Sequence, residues 1–173
     1  NPDNAFDLLS YLNREQYGDR PLMVGQYYNA PVDHENPYKI KGPVYAKIDK
    51  KYVKIDEKKG YNYNKKFTTL FPRMWSSQDD HIQEYKSWAK IKGIPIKAIN
   101  NQGEEEVIRK PTFSENLSFF FSYQLGHMYF RYFMWNFSGR QNDIQGHGGV
   151  LNGNWISGIK FIDEWRLGPQ DKL

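Results

Sequence analysis

The side chains that could bind a ligand are concentrated in residues 140–155, which follow an aromatic-rich segment. Five glycines lie between residues 139 and 155, and glycine allows positive φ and a close approach of the backbone to a partner. A dense set of amide, carboxylate, imidazole and guanidinium groups on such a backbone is typical of a recognition surface. The candidate ligand-binding residues are Arg140, Asn142, Asp143, Gln145, His147, Asn152, Asn154 and Trp155.

The residue types in this stretch, which we call the polar loop (residues 140–155), each favour a particular interaction. Arg140 and Asp143 would orient a ligand through charge-assisted hydrogen bonds. The amides would bond hydroxyl or amide groups, and Trp155 would stack on a sugar or another apolar face. The alternative interpretation is structural: the same groups satisfy buried backbone polar atoms and hold an irregular loop in place.

Patterns that indicate catalysis or metal binding are incomplete. Asp143 and His147 are close in sequence, but a metal site usually needs three or four ligands. The chain has no cysteine, which excludes thiolate zinc sites. Gly146-His147-Gly148-Gly149 resembles the oxyanion loop of some hydrolases, but no nucleophile elbow accompanies it. We therefore predict no catalytic residue, metal or cofactor in this chain.

Composition restricts the classes of partner. The net charge of +4 arises from 24 basic and 20 acidic residues, too mild and mixed a balance to indicate nucleic-acid binding. Aromatic residues make up 17% of the chain, and Tyr and Trp suit sugar sites, protein interfaces and membrane boundaries. The lysine- and tyrosine-rich residues 47–66 are interpreted as an exposed hairpin face; contact with anionic lipid head groups or single-stranded nucleic acid is the alternative.

Hydrophobic spacing predicts the elements that position the polar loop. The predicted fold is α+β: a small antiparallel sheet of roughly three to five strands packs with three helices. Residues 29–42 are predicted as a loop, and Asp49-Lys50 as the turn of a hairpin. The predicted helices are residues 4–16, 77–92 and 114–137, and the predicted strands are residues 21–28, 44–48, 52–55, 66–71 and 94–99.

The third predicted helix, residues 114–137 with Ser114 as its cap, is apolar on nearly all sides. An all-round apolar helix has to be buried on all sides, in protein or in lipid. Two alternatives follow: the rest of the chain covers the helix, or one face belongs to a partner outside this sequence. Because the chain starts at Asn1 without an initiator Met, we expect it to be a piece of a longer product.

Four stretches together resemble one known family. They are GDRPLMVGQYYNAPV (18–32), LFPRMWSS with HIQEYKSW (70–88), PTFSENLSFFFSYQLGHMYFRYFMWNFSGRQNDIQGHG (111–148) and NGNWISGI (152–159). The family comprises large multi-pass membrane proteins that are common in Bacteroidetes and contain a domain of unknown function. It is similar to the GT-C glycosyltransferases, in particular to protein O-mannosyltransferases.

The resemblance implies that residues 1–173 form one extracytoplasmic domain of an inner-membrane protein, facing the periplasm. Its expected partners are the transmembrane helices of the parent protein, the membrane surface and a polypeptide or glycan acceptor. The parent would be a glycosyltransferase, but no catalytic position of the family carries over to this chain, so the domain alone is not expected to be an enzyme. The alternatives are a stand-alone carbohydrate-binding module and a purely structural loop domain.

Overall fold

The structure of this chain is a computed structural model, and it describes residues 4–12 and 20–169. The helices are α1 (Ala5–Leu12), α2 (Asp79–Ala89), α3 (Phe113–Phe119), α4 (Arg131–Phe137) and α5 (Lys160–Leu167). A π-helical segment (Phe120–Phe130) joins α3 to α4, and Lys65–Phe67 form a 3-10 turn. The strands are β1 (Val24–Gln26), β2 (Tyr38–Ile48), β3 (Lys51–Tyr61), β4 (Thr68–Leu70), β5 (Ile94–Ile99) and β6 (Glu105–Lys110). The predicted α+β class is confirmed.

The strands of the described residues pair two by two, as β1–β4, β2–β3 and β5–β6. All three pairings are antiparallel, as predicted. The turn between β2 and β3 is at Asp49 and Lys50, whose φ angles of 47° and 64° suit a tight two-residue hairpin. The prediction of a loop through residue 42 was wrong, because β2 already starts at Tyr38 and pairs there with Tyr61.

The buried core lies where α2, α3 and the segments flanking β1 and β4 meet. Its cluster consists of Tyr27, Met74, Tyr85, Ala89 and Phe119. The rings of Tyr85 and Phe119 meet edge to face with centroids 4.9 Å apart, a favourable arrangement for an aromatic pair. This core fixes the first part of the long helix and thereby the direction in which the remainder extends.

Two helix boundaries differ from the prediction. The cap of α3 is Thr112 rather than Ser114: its hydroxyl accepts from the backbone N–H of Glu115, and the Glu115 carboxylate accepts from the backbone of Thr112, which completes a capping box. Helix α2 ends at Ala89 because Lys90 adopts a left-handed conformation with φ of 50°. The Thr-x-x-Glu spacing that defines a capping box is present in the sequence, and it indicates a helix start more specifically than a single serine does.

Residues 113–137 form one continuous helical run, which we call the aromatic helix, and its existence was predicted correctly. Its eleven central residues are π-helical, a geometry that is rare and usually restricted to single turns. Phe119 is 2% exposed, whereas Phe137 is 77% exposed. Further side chains that stay exposed are Phe121, Leu125, Met128, Tyr129, Phe130, Tyr132 and Phe133. Of the two alternatives for this helix, the structure therefore agrees with an uncovered face.

Two further helices flank these elements. Helix α1 packs on the β2–β3 hairpin through Phe6, whose ring stacks on Tyr45 at 4.8 Å and meets Tyr52 edge to face at 4.7 Å. The predicted continuation of this helix to Gln16 lies outside the described residues. Helix α5 was not predicted. Within residues 4–12 and 20–169, no helix has the length and hydrophobicity needed to cross a bilayer.

Candidate functional site

The polar loop begins and ends at a short antiparallel contact. Arg140 and Trp155 form an isolated β-bridge. Next to it, the N–H of Gln141 donates to the carbonyl of Asn154 at 2.9 Å, and the N–H of Ile156 donates to the carbonyl of Gly139 at 2.9 Å. The two ends of the loop therefore lie side by side. The first end follows α4 directly, and the residues between the two ends form a loop that is closed at its base.

The amide side chains of the loop bond mainly to the loop itself. The Oδ1 of Asn142 accepts from the N–H of Gly153 at 3.1 Å, and its Nδ2 donates to Asn152 Oδ1 at 3.1 Å. The Nδ2 of Asn154 donates to the carbonyl of Gly149 at 2.9 Å and to Gln141 Oε1 at 3.0 Å. Three of the candidate amides thus satisfy the backbone and side chains of the loop, in agreement with the structural interpretation of their role.

The Arg140 side chain extends from the loop and contacts the aromatic helix at Trp135. Its guanidinium carbon lies 3.9 Å from the centroid of the Trp135 ring, and its Nη1 lies 3.3 Å from Asp143 Oδ1. Half of the Arg140 side chain and 86% of the Asp143 side chain remain exposed. An ion pair this exposed contributes little to stability. Because most of its side chain is exposed, Asp143 is accessible to a ligand.

Trp155 is held between two partners and does not present a free face on both sides. The guanidinium carbon of Arg166 lies 3.6 Å above its ring, and Phe130 meets it edge to face at 6.2 Å. The Nη2 of Arg166 also donates to the carbonyl of Trp155. Trp155 therefore joins the loop to α5 and to the π segment, and the predicted stacking role has at most one partly open face.

Two charged residues outside the polar loop hold its second half and the segment just after it. Arg131 donates from Nη1 to the carbonyl of Gly153 at 2.6 Å and from Nε to the carbonyl of His127 at 3.0 Å. The Asp163 carboxylate accepts from the N–H groups of Ser157 at 2.8 Å and Gly158 at 3.0 Å. Burial raises the pKa of Asp163, but these donors and the neighbouring Arg166 outweigh burial, so the pKa is lowered.

Besides Arg140, the exposed polar side chains of the loop are Asp143, Gln145 and His147. The apolar Ile144, Val150 and Leu151 are exposed as well. Burial, followed by the positive charge of Arg131 and the electrostatic influence of His147, lowers the pKa of His127. The His127 ring lies on Trp88 with centroids 4.9 Å apart. Asp143, Gln145 and His147, which we call the exposed edge of the polar loop, are able to form hydrogen bonds with hydroxyl or amide groups.

The geometry around this edge also bears on metal binding. Among the described residues, no group of three or more His, Asp or Glu side chains is placed to hold a metal ion. The assignment of Arg140, Asn142, Asn152, Asn154 and Trp155 to a ligand stays a prediction, although the contacts of these residues are largely internal. Sequence reasoning did not identify Arg131 and Arg166 as anchors, because their partners are backbone carbonyls distant in sequence.

These features define a small α+β domain with an aromatic helix uncovered on one side and a polar loop closed at its base. The chain belongs to a family of unknown function, DUF8416, which matches residues 18–121. The match extends from before β1 into the π segment, so the polar loop follows the matched range. No curated protein and no solved structure is similar enough to this chain to be matched.

Proposed function

We propose that this chain is an extracytoplasmic, periplasm-facing domain of a GT-C-like glycosyltransferase of the inner membrane, in the Bacteroidetes family that its sequence resembles. The exposed apolar face of its aromatic helix contacts the bilayer surface and transmembrane helices of the parent protein. The domain presents the exposed edge of the polar loop to a polypeptide or glycan acceptor. The transfer reaction itself belongs to the membrane portion.

The observation that supports this proposal is the uncovered apolar side of residues 121–137. Tyr129, Tyr132 and Phe137 are 65%, 60% and 77% exposed, and removal of 100 Å² of apolar surface from water contributes about 2.5 kcal/mol. With Phe133 and Asn136, these rings line a shallow groove of about 440 Å³. A groove that one helix forms alone is a contact surface and not an enclosed substrate pocket.

The distribution of charged residues favours lipid and membrane helices as the partners of the exposed apolar face of the aromatic helix. Between Glu115 and Asp143 the sequence contains no acidic residue, while Arg131 and Arg140 supply positive charge. Tyrosine and tryptophan rings flanked by arginines are typical of the interface between lipid acyl chains and head groups. Helix α5 carries similarly exposed rings, with Phe161 at 79% and Trp165 at 81%, so it is a second candidate for contact with the membrane.

Partition into neutral phosphatidylcholine vesicles tests the membrane contact. The double variant Tyr132→Ser/Phe137→Ser should reduce the partition coefficient at least about tenfold, because two exposed rings no longer enter the interface. The matched control is Ile94→Ser/Val107→Ser, whose side chains are 54% and 56% exposed on the β5–β6 pair. Equal losses in both variants, or no partition of the unaltered domain, would contradict this orientation.

The parent polypeptide provides an independent test. If this chain lies between transmembrane helices, hydrophobic segments of about 20 residues should flank it in the full-length gene product. In the intact protein, Asp143→Ala and His147→Ala should slow transfer to the acceptor, while an exposed acidic residue on another element, such as Glu106, should tolerate alanine without loss. A wholly water-soluble parent would refute the proposal.

A structural role for the polar loop is the second candidate function. It is favoured by the internal hydrogen bonds of Asn142 and Asn154 and by the position of Trp155 under Arg166. In that case the loop braces α4 and α5 for contact with neighbouring helices, and Asp143→Ala and His147→Ala leave transfer unchanged. The same pair of variants therefore separates the two candidates.

A further inference from the structure

A cleft far from the polar loop in sequence concentrates positive charge. Its volume is about 520 Å³, and it lies between the β1–β4 pair, the β2–β3 hairpin and the 3-10 turn. Lysines from three different segments line it: Lys39, Lys41, Lys59 and Lys65. Tyr61 and Tyr63 form part of its wall, and none of its lining residues is acidic. We call it the basic cleft.

The fold brings these lysines together through strand register. Ile40 pairs with Lys59, and Lys39 pairs with Gly60, so both strands of the hairpin contribute a lysine at the same level. A Cβ at Gly60 would contact the Lys41 side chain, so the glycine leaves room for that lysine to lie across the strand. Lys65 comes from the 3-10 turn, which Asn64 fixes by accepting from the N–H of Lys66 at 3.0 Å.

Three of the four ammonium groups in the basic cleft, those of Lys39, Lys59 and Lys65, differ from other lysines of this chain. Lys54 lies 2.5 Å from Glu57, and Lys160 lies 3.5 Å from Glu164. The ammonium groups of Lys39, Lys59 and Lys65, in contrast, have no hydrogen-bond or ion-pair partner among the residues that the structure describes. Like charges around one cavity repel each other, and each of them attracts an anion that enters the cavity.

We propose that the basic cleft binds a phosphate group. Four lysines provide more charge than a single carboxylate can neutralise, whereas a phosphate carries up to two negative charges. Lysine acts as a point charge that approaches a tetrahedral anion from any direction, while planar carboxylates favour the fork of arginine. The hydroxyl groups of Tyr61 and Tyr63 and the amide of Asn62, which also lines the cleft, add neutral donors. This inference is independent of the function proposed above.

Two sources of phosphate are compatible with the surroundings of the cleft. Val24 lines the cleft and is 60% exposed, and its strand partner Leu70 is 67% exposed. An apolar rim beside a cationic cleft suits a lipid whose phosphate enters the cleft while its acyl chains remain outside. The cleft is equally open to a soluble phosphate ester. The chemistry recognised is the same, and the source is decided by experiment.

Titration of the unaltered domain with inorganic pyrophosphate, followed by backbone amide NMR shifts, tests the soluble source. Sedimentation with vesicles of equimolar phosphatidylglycerol and phosphatidylcholine, compared with pure phosphatidylcholine, tests the lipid source. The cleft variant is Lys59→Ala/Lys65→Ala, and the control is Lys47→Ala/Lys51→Ala, which removes the same charge near the turn of the hairpin. All four lysines are exposed, so neither variant is expected to unfold the domain.

We expect the cleft variant to weaken binding of the anion about tenfold and the control to change it less than about twofold. Pyrophosphate binding that depends on the cleft lysines supports a soluble phosphate ligand. Dependence that is seen only with anionic vesicles supports a lipid phosphate. If neither probe binds, the cleft is not a phosphate site. If both variants lose binding equally, general electrostatic attraction explains the binding, and the cleft is again not a phosphate site. Failure of neutral vesicles to bind leaves this test unaffected.

Discussion

Both ends of the aromatic helix contain phenylalanine and asparagine, but the environments of these residues differ. In α3, Phe119 and Asn116 are almost completely buried, with exposures of 2% and 0%. In α4, Phe133 and Phe137 are 44% and 77% exposed, although the helix continues without a break. An aromatic side chain in this chain is therefore not in itself a sign of the core, and the uncovered end is where a partner is expected.

The comparison also explains how the buried end tolerates polar groups. The Oδ1 of Asn116 accepts from the N–H of Arg73 at 2.8 Å, and its Nδ2 donates to the carbonyl of Phe71 at 2.9 Å. These bonds connect α3 to the segment after β4. At the other end, the Asn136 side chain donates to the carbonyl of Tyr132 in its own helix. The same residue type thus crosslinks the fold at one end and has a local role at the other.

The largest difference between the two ends should appear on truncation of their rings. Phe119→Ala should lower the free energy of unfolding by about 4 kcal/mol, because it removes a ring packed on Tyr85 and Tyr123 and leaves a cavity. Phe137→Ala, in the exposed end, should change it by less than about 0.5 kcal/mol. Urea denaturation followed by circular dichroism measures both. Similar losses in the two variants would show that the α4 end is packed in solution.

The asparagines offer a second comparison with a smaller expected effect. Asn116→Ala should cost about 3 kcal/mol, because the N–H of Arg73 and the carbonyl of Phe71 lose their partner in a site that water does not reach. Asn136→Ala should be nearly neutral. The measurement is again the urea midpoint. If Asn116→Ala proves neutral, the buried asparagine does not provide the crosslink that its contacts indicate.

Glu115 makes the stability of the buried end dependent on pH. Partial burial raises the pKa of its carboxyl, but hydrogen bonds from the backbone N–H groups of Thr112, Lys92 and Gly93 outweigh burial and lower the pKa from 4.5. A carboxyl with a lowered pKa stabilises the fold above pH 4.5, and this contribution is lost as the pH falls through the folded-state value. Glu115→Gln should therefore cost about 1.5 kcal/mol at pH 7.

The difference between the unaltered protein and Glu115→Gln should shrink when urea midpoints are measured below pH 4. Asp143→Asn is the control from the exposed region, because 86% of the Asp143 side chain is exposed and an exposed ion pair contributes little. Its difference from the unaltered protein should stay small at both pH values. A constant cost of Glu115→Gln across the pH range would mean that the charge of the carboxylate does not matter.

Local signals in the sequence were sufficient for much of the fold. Alternating apolar and lysine residues on either side of Asp49 and Lys50 predicted the β2–β3 hairpin, and the dense apolar run predicted the aromatic helix. The π-helical centre was not predictable, because a segment that is apolar all round has no periodicity from which residues per turn can be derived. The Thr112–Glu115 capping box is also a local signal, although Ser114 was the predicted cap.

The candidate site was less predictable than the fold, because its geometry depends on contacts between residues that are distant in sequence. The residue types of the polar loop were conspicuous, but their hydrogen bonds follow from the pairing of Arg140 with Trp155, fifteen positions apart. The lysines of the hairpin were predicted to be exposed, as they are. Their convergence with Lys65 on one cleft depends on how the hairpin packs beside β1 and β4, which no local pattern encodes.

The smallest predicted effect concerns the polar loop. Asn142→Ala removes the acceptor of the Gly153 and Ile144 N–H groups, at 3.1 Å and 3.3 Å. Because the loop is partly exposed, the free energy of global unfolding should change by less than about 0.5 kcal/mol, but the Gly153 amide should exchange with solvent about tenfold faster. The control is Gln145→Ala, an exposed amide of the same loop, and it should leave the exchange of Gly153 unchanged. Faster exchange in both variants would mean that the loop is held by its surface residues, and the division between its internal amides and its exposed edge would no longer hold.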